Sequence, residues 1–349
     1  MEAVWKPFTA CIEVPVLHTV FKRELEREMK KVLCALAVAS IAAPIVSAQA
    51  MTLYEKDGLK YKMKGDWQIQ LRQKAGEDKD LDVEYDDLEI KNNITYDLGN
   101  GLRAIGELDF GFKKAADESD DDERGHLEEA YLGFGYENFE FVFGKTDSAT
   151  DEFGIEGAIE SPLKDDVFDK EKVDEGDDLL KVSAEFADMV TVIVSHELDA
   201  ESSDSSENGG FTDIFASVEF SGCTIGAAYS SFDTNVVGED RLDLYGVSIA
   251  YDAKVVEVGA DYSVVDDPNK YDYDFLNIYV GVPVKSFKIG AGFQQIDYDT
   301  DAKEDVSAWY ANVTYKFPAH KNVSVFAEIQ DTDEDNSDMG YLVGARIKF

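Results

Sequence analysis

Polar and apolar residues alternate with a period of two through most of the chain after residue 51. In the stretch 59–72, the odd positions read Leu, Tyr, Met, Gly, Trp, Ile and Leu, whereas every even position holds Lys, Asp, Gln or Arg. Successive side chains of a β-strand point to opposite faces of a sheet, so this pattern predicts a strand with one apolar and one charged face. The pattern recurs along the chain, and no stretch of the predicted mature part reaches the ~18 apolar residues of a membrane-spanning helix. We therefore expect an all-β protein.

The number of strands and the connections between them predict a closed barrel. Alternating segments of about ten residues, the length of a membrane strand, give sixteen strands, five before residue 145 and eleven after residue 178. Tight turns such as 97–101 alternate with long acidic loops such as 199–210 and 331–338. Short turns at one rim and long loops at the other are typical of a transmembrane barrel. Aromatic residues that would form an interfacial belt flank the tight turns: Tyr96, Tyr136, Phe139, Phe186, Phe220, Tyr251, Phe287 and Phe317.

The longest connection, residues 145–178, has neither strand nor helix periodicity. It contains thirteen Asp or Glu residues and four Lys residues. Connections beyond ~12–15 residues are uncommon in compact folds and are usually functional or disordered. Because strong strand patterns lie on both sides of it, we expect this loop to fold back into the barrel.

The N-terminal part is predicted to be removed before the barrel forms. Met29-Lys30-Lys31, the apolar run 32–46 and Ala48-Gln49-Ala50 make a secretory signal peptide at 29–50. Residues 1–28 then form an upstream extension that does not belong to the native protein, and 51–349 a single barrel domain. Only Cys223 remains in that domain, so no internal disulfide is expected.

The last strand carries an assembly signature. Tyr341, Val343, Ala345, Ile347 and Phe349 share one face, and the sequence stops on the aromatic residue. This strand resembles the terminal strand by which outer-membrane barrels are recognised for assembly, so we expect the barrel-assembly machinery to recognise Tyr341 and Phe349.

Short motifs add a family resemblance over residues 51–349. Gly144-Lys145 stands before the long loop and Glu152-Phe153-Gly154 lies within it. The chain resembles the general diffusion porins of Gram-negative bacteria, although Asp151 stands where members of that family usually have Pro. The resemblance implies a homotrimer of 16-stranded antiparallel barrels in the outer membrane, in contact with lipid and lipopolysaccharide. It also implies a third external loop folded into the lumen of a water-filled channel for ions and small hydrophilic solutes.

The resemblance also implies that acidic and basic residues face each other across the narrowest part of the channel. The acids of the constriction would be Asp147, Asp151, Glu152, Glu156, Glu160, Asp165 and Asp166. By face parity, the basic lumen wall would be Lys64, Arg72, Lys91 and Arg103. The formal charge of −40 argues against nucleic acid partners, and the acidic loop predicts a preference for cations.

Enzymatic chemistry is not indicated. The three histidines after residue 50 lie in no catalytic or metal-binding motif, and no cofactor-binding motif is present. Asp331 to Asp335 resembles the start of a calcium loop, but Asn336 and Leu342 occupy the positions that require Gly and a bidentate Glu. We therefore predict neither an enzyme, nor a cofactor, nor a metal site of that kind.

Two other functions are compatible with the alternating pattern. A substrate-specific channel would carry an aromatic track along the lumen, for which Tyr131, Tyr279 and Tyr310 have the right parity. A soluble, exported β-sandwich adhesin would also alternate, but its strands are usually ~5–6 residues long.

Overall fold

The structure, a computed structural model, describes residues 50–112, 125–198, 210–234 and 238–349. The expected upstream extension and, except for Ala50, the signal peptide lie outside these residues. Within the described part, no helix has the length and apolar character needed to cross a membrane. The strands are β1 Met51–Lys56, β2 Leu59–Gln73, β3 Asp82–Gly99, β4 Leu102–Gly111, β5 His126–Tyr136, β6 Phe139–Asp147, β7 Glu175–Phe186, β8 Val190–Glu197, β9 Phe211–Phe220, β10 Cys223–Phe232, β11 Leu242–Asp252, β12 Glu257–Asp266, β13 Tyr273–Val284, β14 Phe287–Tyr298, β15 Val306–Phe317, β16 His320–Thr332 and β17 Gly340–Lys348.

The strands form one antiparallel sheet that closes on itself. Each strand from β2 to β16 pairs with the next along the chain, and β17 pairs with β2 from Tyr341↔Gln73 to Lys348↔Asp66. The predicted 16-stranded antiparallel barrel is confirmed, and the alternative of a β-sandwich is wrong, because a sandwich has two separate sheets with free edges. Closure pairs both edges of each strand from β2 to β17 in the described part of the chain.

The additional strand β1 does not widen the barrel. It pairs with β2 from Met51↔Met63 to Lys56↔Leu59, on the edge of β2 that β17 occupies farther along. The other edge of β2 pairs with β3 over its whole length. β1 and β17 therefore lie end to end along the same edge of β2. Sequence alternation missed β1 because the six residues of this strand are too few to establish a period.

The outer surface of the barrel is apolar and much of its inner surface is polar, as the alternation predicts. On β2, Trp67 is 44% exposed on the outer surface, whereas its neighbour Gln68 on the inner surface is only 2% exposed. Polar side chains on the inner surface are buried against each other and against the segment that follows β6. Apolar side chains accessible on the outside and polar ones enclosed inside are the arrangement of a barrel surrounded by lipid.

Tight turns close one rim of the barrel. Asn100, Glu137 and Ser221 adopt left-handed φ values between 51° and 55° in these turns. Phe139 and Phe186 stack edge to face at 5.8 Å beside two such turns, and both are exposed on the outer surface. The aromatic residues next to the tight turns thus lie where an interfacial belt is expected.

Candidate functional site

Residues 148–174, here called the long segment, leave the wall after β6 and return to it at β7. The segment contains a 3-10 turn, Thr150–Glu152, and one short helix, α1, Val167–Glu171. Its two ends are joined, because Ser148 N–H donates to the carbonyl of Asp174 at 2.6 Å. Ala149 N–H donates to Ser195 Oγ on β8 at 2.7 Å. Both ends are therefore held at the inner surface of β8.

The middle of the long segment is hydrogen bonded to inward-facing side chains of successive strands. Ile155 N–H donates to Asp261 Oδ2 on β12 at 2.9 Å, and Asn277 Nδ2 on β13 donates to Ile155 O at 2.7 Å. Farther along, Ile159 N–H and Glu160 N–H donate to the two carboxylate oxygens of Glu328 on β16, at 2.7 and 3.1 Å. The wall thus supplies the hydrogen-bond partners that this irregular backbone lacks.

The long segment also reaches the first long strand of the barrel. Glu160 accepts hydrogen bonds from Gln70 Nε2 at 2.5 Å and from Arg72 Nη1 at 2.6 Å, both on β2. On the way back, Leu163 N–H donates to Gln294 Oε1 and Lys164 O accepts from Gln294 Nε2. The segment therefore makes contacts on the inner surface from β8 through β16 to β2.

An apolar cluster holds the returning half of the long segment. Phe153 packs against Phe168 with ring centroids 5.2 Å apart, and Asp166 caps α1 by accepting from Phe168 N–H and Asp169 N–H. The residues of the wall and segment that share this cluster are Ala149, Phe153, Val167, Phe168, Val173, Leu179, Ile193, Phe211, Phe215, Ala228, Leu242, Leu244, Val265, Tyr273, Phe275 and Ile296. Apolar residues at inward positions of β9 to β14 were a sequence signal for this contact that strict alternation did not use.

The predicted constriction acids occupy different environments. Asp151, Glu152, Glu156 and Asp165 are exposed, whereas Asp166 is buried as the cap of α1. Glu160 is half-buried in its contact with Arg72, and Asp147 is the last residue of β6 rather than part of the loop. Asp165 accepts a hydrogen bond from Ser161 Oγ. Of the seven acids, four therefore present exposed carboxylates on the long segment.

The surroundings of these acids shift their titration. Burial, together with the charges of Asp147, Asp174 and Glu152, raises the pKa of Asp151 to about 8. Burial is also the main cause that raises the pKa of Asp174 to about 6. Although the Asp151 side chain is exposed, protein surrounds it, and water in such a narrow space solvates charge less well than bulk water does.

The predicted basic residues are mostly paired with acids. Lys91 Nζ lies 2.6 Å from Glu129 and 3.2 Å from Asp109. Arg72 contacts Glu84 and Glu160, and Arg103 contacts Glu140; these residues lie on the inner surface or at its rim. Lys64 is exposed and is the register partner of Lys91 on β3. Three of the four predicted basic side chains are therefore neutralised by neighbouring carboxylates.

Two β-bulges turn extra carboxylates toward the lumen. On β3, the pairs Trp67↔Leu88 and Ile69↔Tyr85 leave Asp86 and Asp87 together opposite one residue of β2. On β5, Glu128 and Glu129 likewise face the single residue Asp109. A bulge places two residues opposite one and re-aims their side chains. The result is a polar cavity of about 200 Å³ lined by Asp86, Asp87, Leu88, Glu89, Lys91, Asp109, Glu128, Glu129 and Asp147.

A second, larger cavity lies beneath the long segment. It has a volume of about 850 Å³, and Glu156 of the segment lines it together with Gln68 and Arg346 of the wall. Basic side chains from the tight-turn end, among them Lys316 and Lys348, line its other side. The acidic lining at the level of the long segment thus gives way to a basic lining toward the tight turns.

The tyrosines that suggested an aromatic track do point inward, but two of them are covered. Tyr310 is 1% exposed and Tyr279 is 6% exposed. Both lie against Gly157, where a Cβ atom would come within 2.3 Å of either ring or its hydroxyl group. Tyr131 is on β5 and donates to Glu107 at 3.3 Å. The rings of Tyr279 and Tyr310 therefore support the long segment and are not part of a continuous exposed track.

Comparison with known proteins gives a family and several relatives of the same fold. The sequence pattern of the family described as Gram-negative porin matches residues 35–337. The chain is 25% identical over 347 residues to "Porin-like protein H" of Photobacterium profundum, covering 92% of this chain and 100% of the relative. A trimer form of OmpT, an outer membrane protein of Vibrio cholerae, superposes with a TM-score of 0.69 at 18% identity, covering 84% of this chain and 100% of OmpT. An anion-selective porin from Comamonas acidovorans gives a TM-score of 0.65 at 10% identity, covering 83% of this chain and 100% of that porin.

Proposed function

The chain belongs to the Gram-negative porin family, and from this premise we propose that it forms a water-filled, cation-preferring channel for ions and small hydrophilic solutes. The protein is an outer-membrane porin. The proposal concerns what the channel passes and where it is narrowest.

The constriction is proposed to be the long segment. Its hydrogen bonds to inward-facing residues of β12, β13, β16 and β2 support a course across the lumen. A segment on that course narrows the channel, because only the space between the segment and the parts of the wall that it does not contact stays open. The acidic cavity beside β3 to β6 and the larger cavity beneath Glu156 are two of the spaces that remain.

The preference for cations rests on one observation, the acidic lining of the smaller cavity. The smaller cavity is surrounded by seven carboxylates and a single lysine. At ~4 Å and an effective dielectric constant of ~20, one carboxylate attracts a monovalent cation by about 4 kcal/mol before screening. The fold alone does not set the sign of the preference, because the anion-selective porin of Comamonas acidovorans has the same fold.

Reversal potentials in planar bilayers test the proposal. In a KCl gradient, we expect the unmodified protein to favour K⁺ over Cl⁻. A variant with Asp147, Asp151, Glu152 and Glu156 changed to their amides should move the reversal potential toward zero. A matched variant removes the same charge from four exposed rim acids, Asp301, Glu304, Glu334 and Asp335. Rim charges are screened within ~8 Å at physiological salt, so this control should change the potential much less. Equal shifts in both variants, or anion preference in the unmodified protein, would contradict the proposal.

The partners of the channel are also proposed by analogy. The trimer form of Vibrio cholerae OmpT supports a homotrimer for this chain. The apolar outer surface would contact outer-membrane lipid and lipopolysaccharide, and the terminal strand with Tyr341 and Phe349 would be read by the barrel-assembly machinery. Light scattering of the detergent-solubilised protein, corrected for bound detergent, tests the trimer. A mass of one chain would reject it.

A further inference from the structure

A third β-bulge lies where the long segment rejoins the barrel wall. The register between β6 and β7 passes from Gly144↔Leu179 to Thr146↔Gly176, so Asp177 and Asp178 together face the single residue Lys145. Two consecutive carboxylates are thereby brought close to the end of β8. Lys145 makes no ion pair within 4 Å in the described part of the chain.

Glu197, the last residue of β8, completes a group of three carboxylates. One oxygen each of Asp177, Asp178 and Glu197 lie within 4.8 Å of one another. Glu197 is only 1% exposed, and its Oε1 accepts the N–H of Asp178 at 3.1 Å. Its Oε2 is enclosed and has no hydrogen-bond partner among the described residues. Buried carboxylate oxygens in native proteins nearly always accept a hydrogen bond or bind a cation, so this enclosed oxygen is available as a metal ligand.

A divalent cation would supply that partner. Calcium binds carboxylate oxygens at 2.3–2.6 Å, so two oxygens on one calcium ion lie at most ~5 Å apart. The three oxygens of this group already satisfy that limit. Magnesium requires near-ideal octahedral geometry at 2.0–2.1 Å, which is a poorer match to two consecutive bulge residues and a strand end.

We propose that Asp177, Asp178 and Glu197 bind a divalent cation, with calcium preferred over magnesium. The site lies beside both ends of the long segment. Asp174, whose carbonyl accepts from Ser148 N–H, precedes the bulge, and Ser195, whose hydroxyl accepts from Ala149 N–H, is on β8 with Glu197. A bound cation therefore links β7 to β8 at the place where the long segment leaves and rejoins the barrel wall. This inference does not depend on the ion preference of the channel.

Thermal unfolding in two buffers tests the site. The purified protein is heated in detergent with EDTA or with millimolar CaCl₂, and the same is done for Glu197→Gln. In EDTA, the variant should be at least as stable as the unmodified protein, because the substitution removes a buried negative charge that lies next to two other carboxylates. In CaCl₂, the order should reverse, because only the unmodified protein gains stability by binding the ion. Glu185→Gln, on the same sheet but outside the group, should behave like the unmodified protein in both buffers.

Binding of radioactive calcium gives a second, independent measurement. In equilibrium dialysis, Glu197→Gln and Asp177→Asn should each lose about one high-affinity equivalent per chain, or bind it about tenfold more weakly or worse. Excess MgCl₂ should compete poorly for this equivalent. The proposal fails if both variants retain the full amount of bound calcium. It fails equally if Glu197→Gln lowers the unfolding temperature by the same amount in EDTA and in CaCl₂. Asp177→Asn keeps the test decisive if Glu197→Gln does not fold.

Discussion

Arg72 on β2 and Glu160 in the long segment form an ion pair, with 2.6 Å between Nη1 and Oε2, across 88 residues of sequence. Their side chains are only 11% and 15% exposed, so bulk salt screens the pair weakly. Gln70 Nε2 donates to the other carboxylate oxygen of Glu160. This contact fastens the middle of the segment to β2, whereas both ends of the segment are held at β8.

Removing the carboxylate of Glu160 should loosen the segment. In Glu160→Ala, the segment loses two hydrogen bonds to β2, and hydrogen bonds to charged groups contribute about 1.5–3 kcal/mol each. We expect larger and noisier single-channel currents, with the barrel still assembled, because Glu84 continues to pair with Arg72. Glu140→Ala is the matched control, since it breaks the Arg103 ion pair without touching the segment. Identical current noise in the two variants would show that the contact does not hold the segment.

The C-terminal residue should control assembly. Phe349 and Gly65 exchange both backbone hydrogen bonds, at 2.7 and 2.9 Å, and the Phe349 ring lies over Gly65 and edge to face with Trp67 at 5.4 Å. Phe349→Ser removes this ring from the junction where the barrel closes. We expect normal export but a lower yield of folded barrel, measured by the heat-modifiable band on gels. Phe349→Tyr retains the ring and should assemble normally; normal yield for the serine variant would contradict the prediction.

Much of the fold could be predicted because the alternation of polar and apolar residues within one strand shows which surface each side chain occupies. Trp67, Ile69 and Leu71 were assigned to one surface from alternation alone, and all three are exposed on the outside of the barrel. The tight turn at 97–101 was predictable for the same reason, since Gly99, Asn100 and Gly101 supply the positive φ that it requires. The number of strands in the barrel, sixteen, follows from counting the alternating segments.

The lining of the lumen was harder to predict, because it depends on breaks in the alternation. A bulge adds one residue at a place fixed by cross-strand pairing, which no single strand reveals. Strict parity therefore could not show that Asp86 and Asp87 both line the same cavity. Similarly, charge counting identified the long acidic loop but not that Asp166 would be used as a helix cap. Ion pairs such as Lys91 with Glu129 join strands far apart in sequence and are set by tertiary structure alone.

The two surfaces of one strand should differ in their tolerance of charge. Val247, in the middle of β11, is 58% exposed on the outer surface. An arginine there would face lipid and should destabilise the barrel by about 2–4 kcal/mol if the site lies near the bilayer midplane. Ser248→Arg, one residue along and facing inward, should affect conductance more than stability. Urea unfolding in lipid vesicles and single-channel recording measure the two effects; equal stability losses would contradict the assignment of surfaces.

The carboxylates of the two lumen bulges should contribute to ion preference. Asp87→Asn with Glu128→Gln removes one charge from each bulge at the acidic cavity. We expect the reversal potential in a KCl gradient to move toward zero, because permeating ions pass close to these groups. The control is Asp57→Asn with Glu137→Gln, two acids in tight turns whose left-handed φ values Asn and Gln can retain. No difference between the two double variants would show that the bulges lie outside the permeation path.

The ion preference should also depend on pH through Asp151. Because its pKa is raised to about 8, this carboxyl group is mostly neutral at pH 6 and gains its negative charge as the pH rises toward 9. The preference for K⁺ over Cl⁻ should therefore increase across this range. The same raised pKa means that the folded state binds the proton more tightly than the unfolded state does. The contribution of Asp151 to stability therefore falls as the pH rises from about 4 to 8, opposite in direction to its effect on ion preference.

Reversal potentials at pH 6, 7, 8 and 9 measure this dependence. In Asp151→Asn, the increase in K⁺ preference above pH 7 should be lost. The change in preference below pH 7 should remain, because Asp174, whose pKa is raised only to about 6, still titrates there. Asp174→Asn should show the opposite behaviour, with the lower part of the curve flattened and the upper part retained. Because the two groups titrate in different intervals, each variant serves as the control for the other. The reversal potentials of Asp151→Asn and of the unmodified protein could instead change by the same amount between pH 7 and 9. In that case Asp151 is either already ionised at neutral pH or remote from the path of the ions.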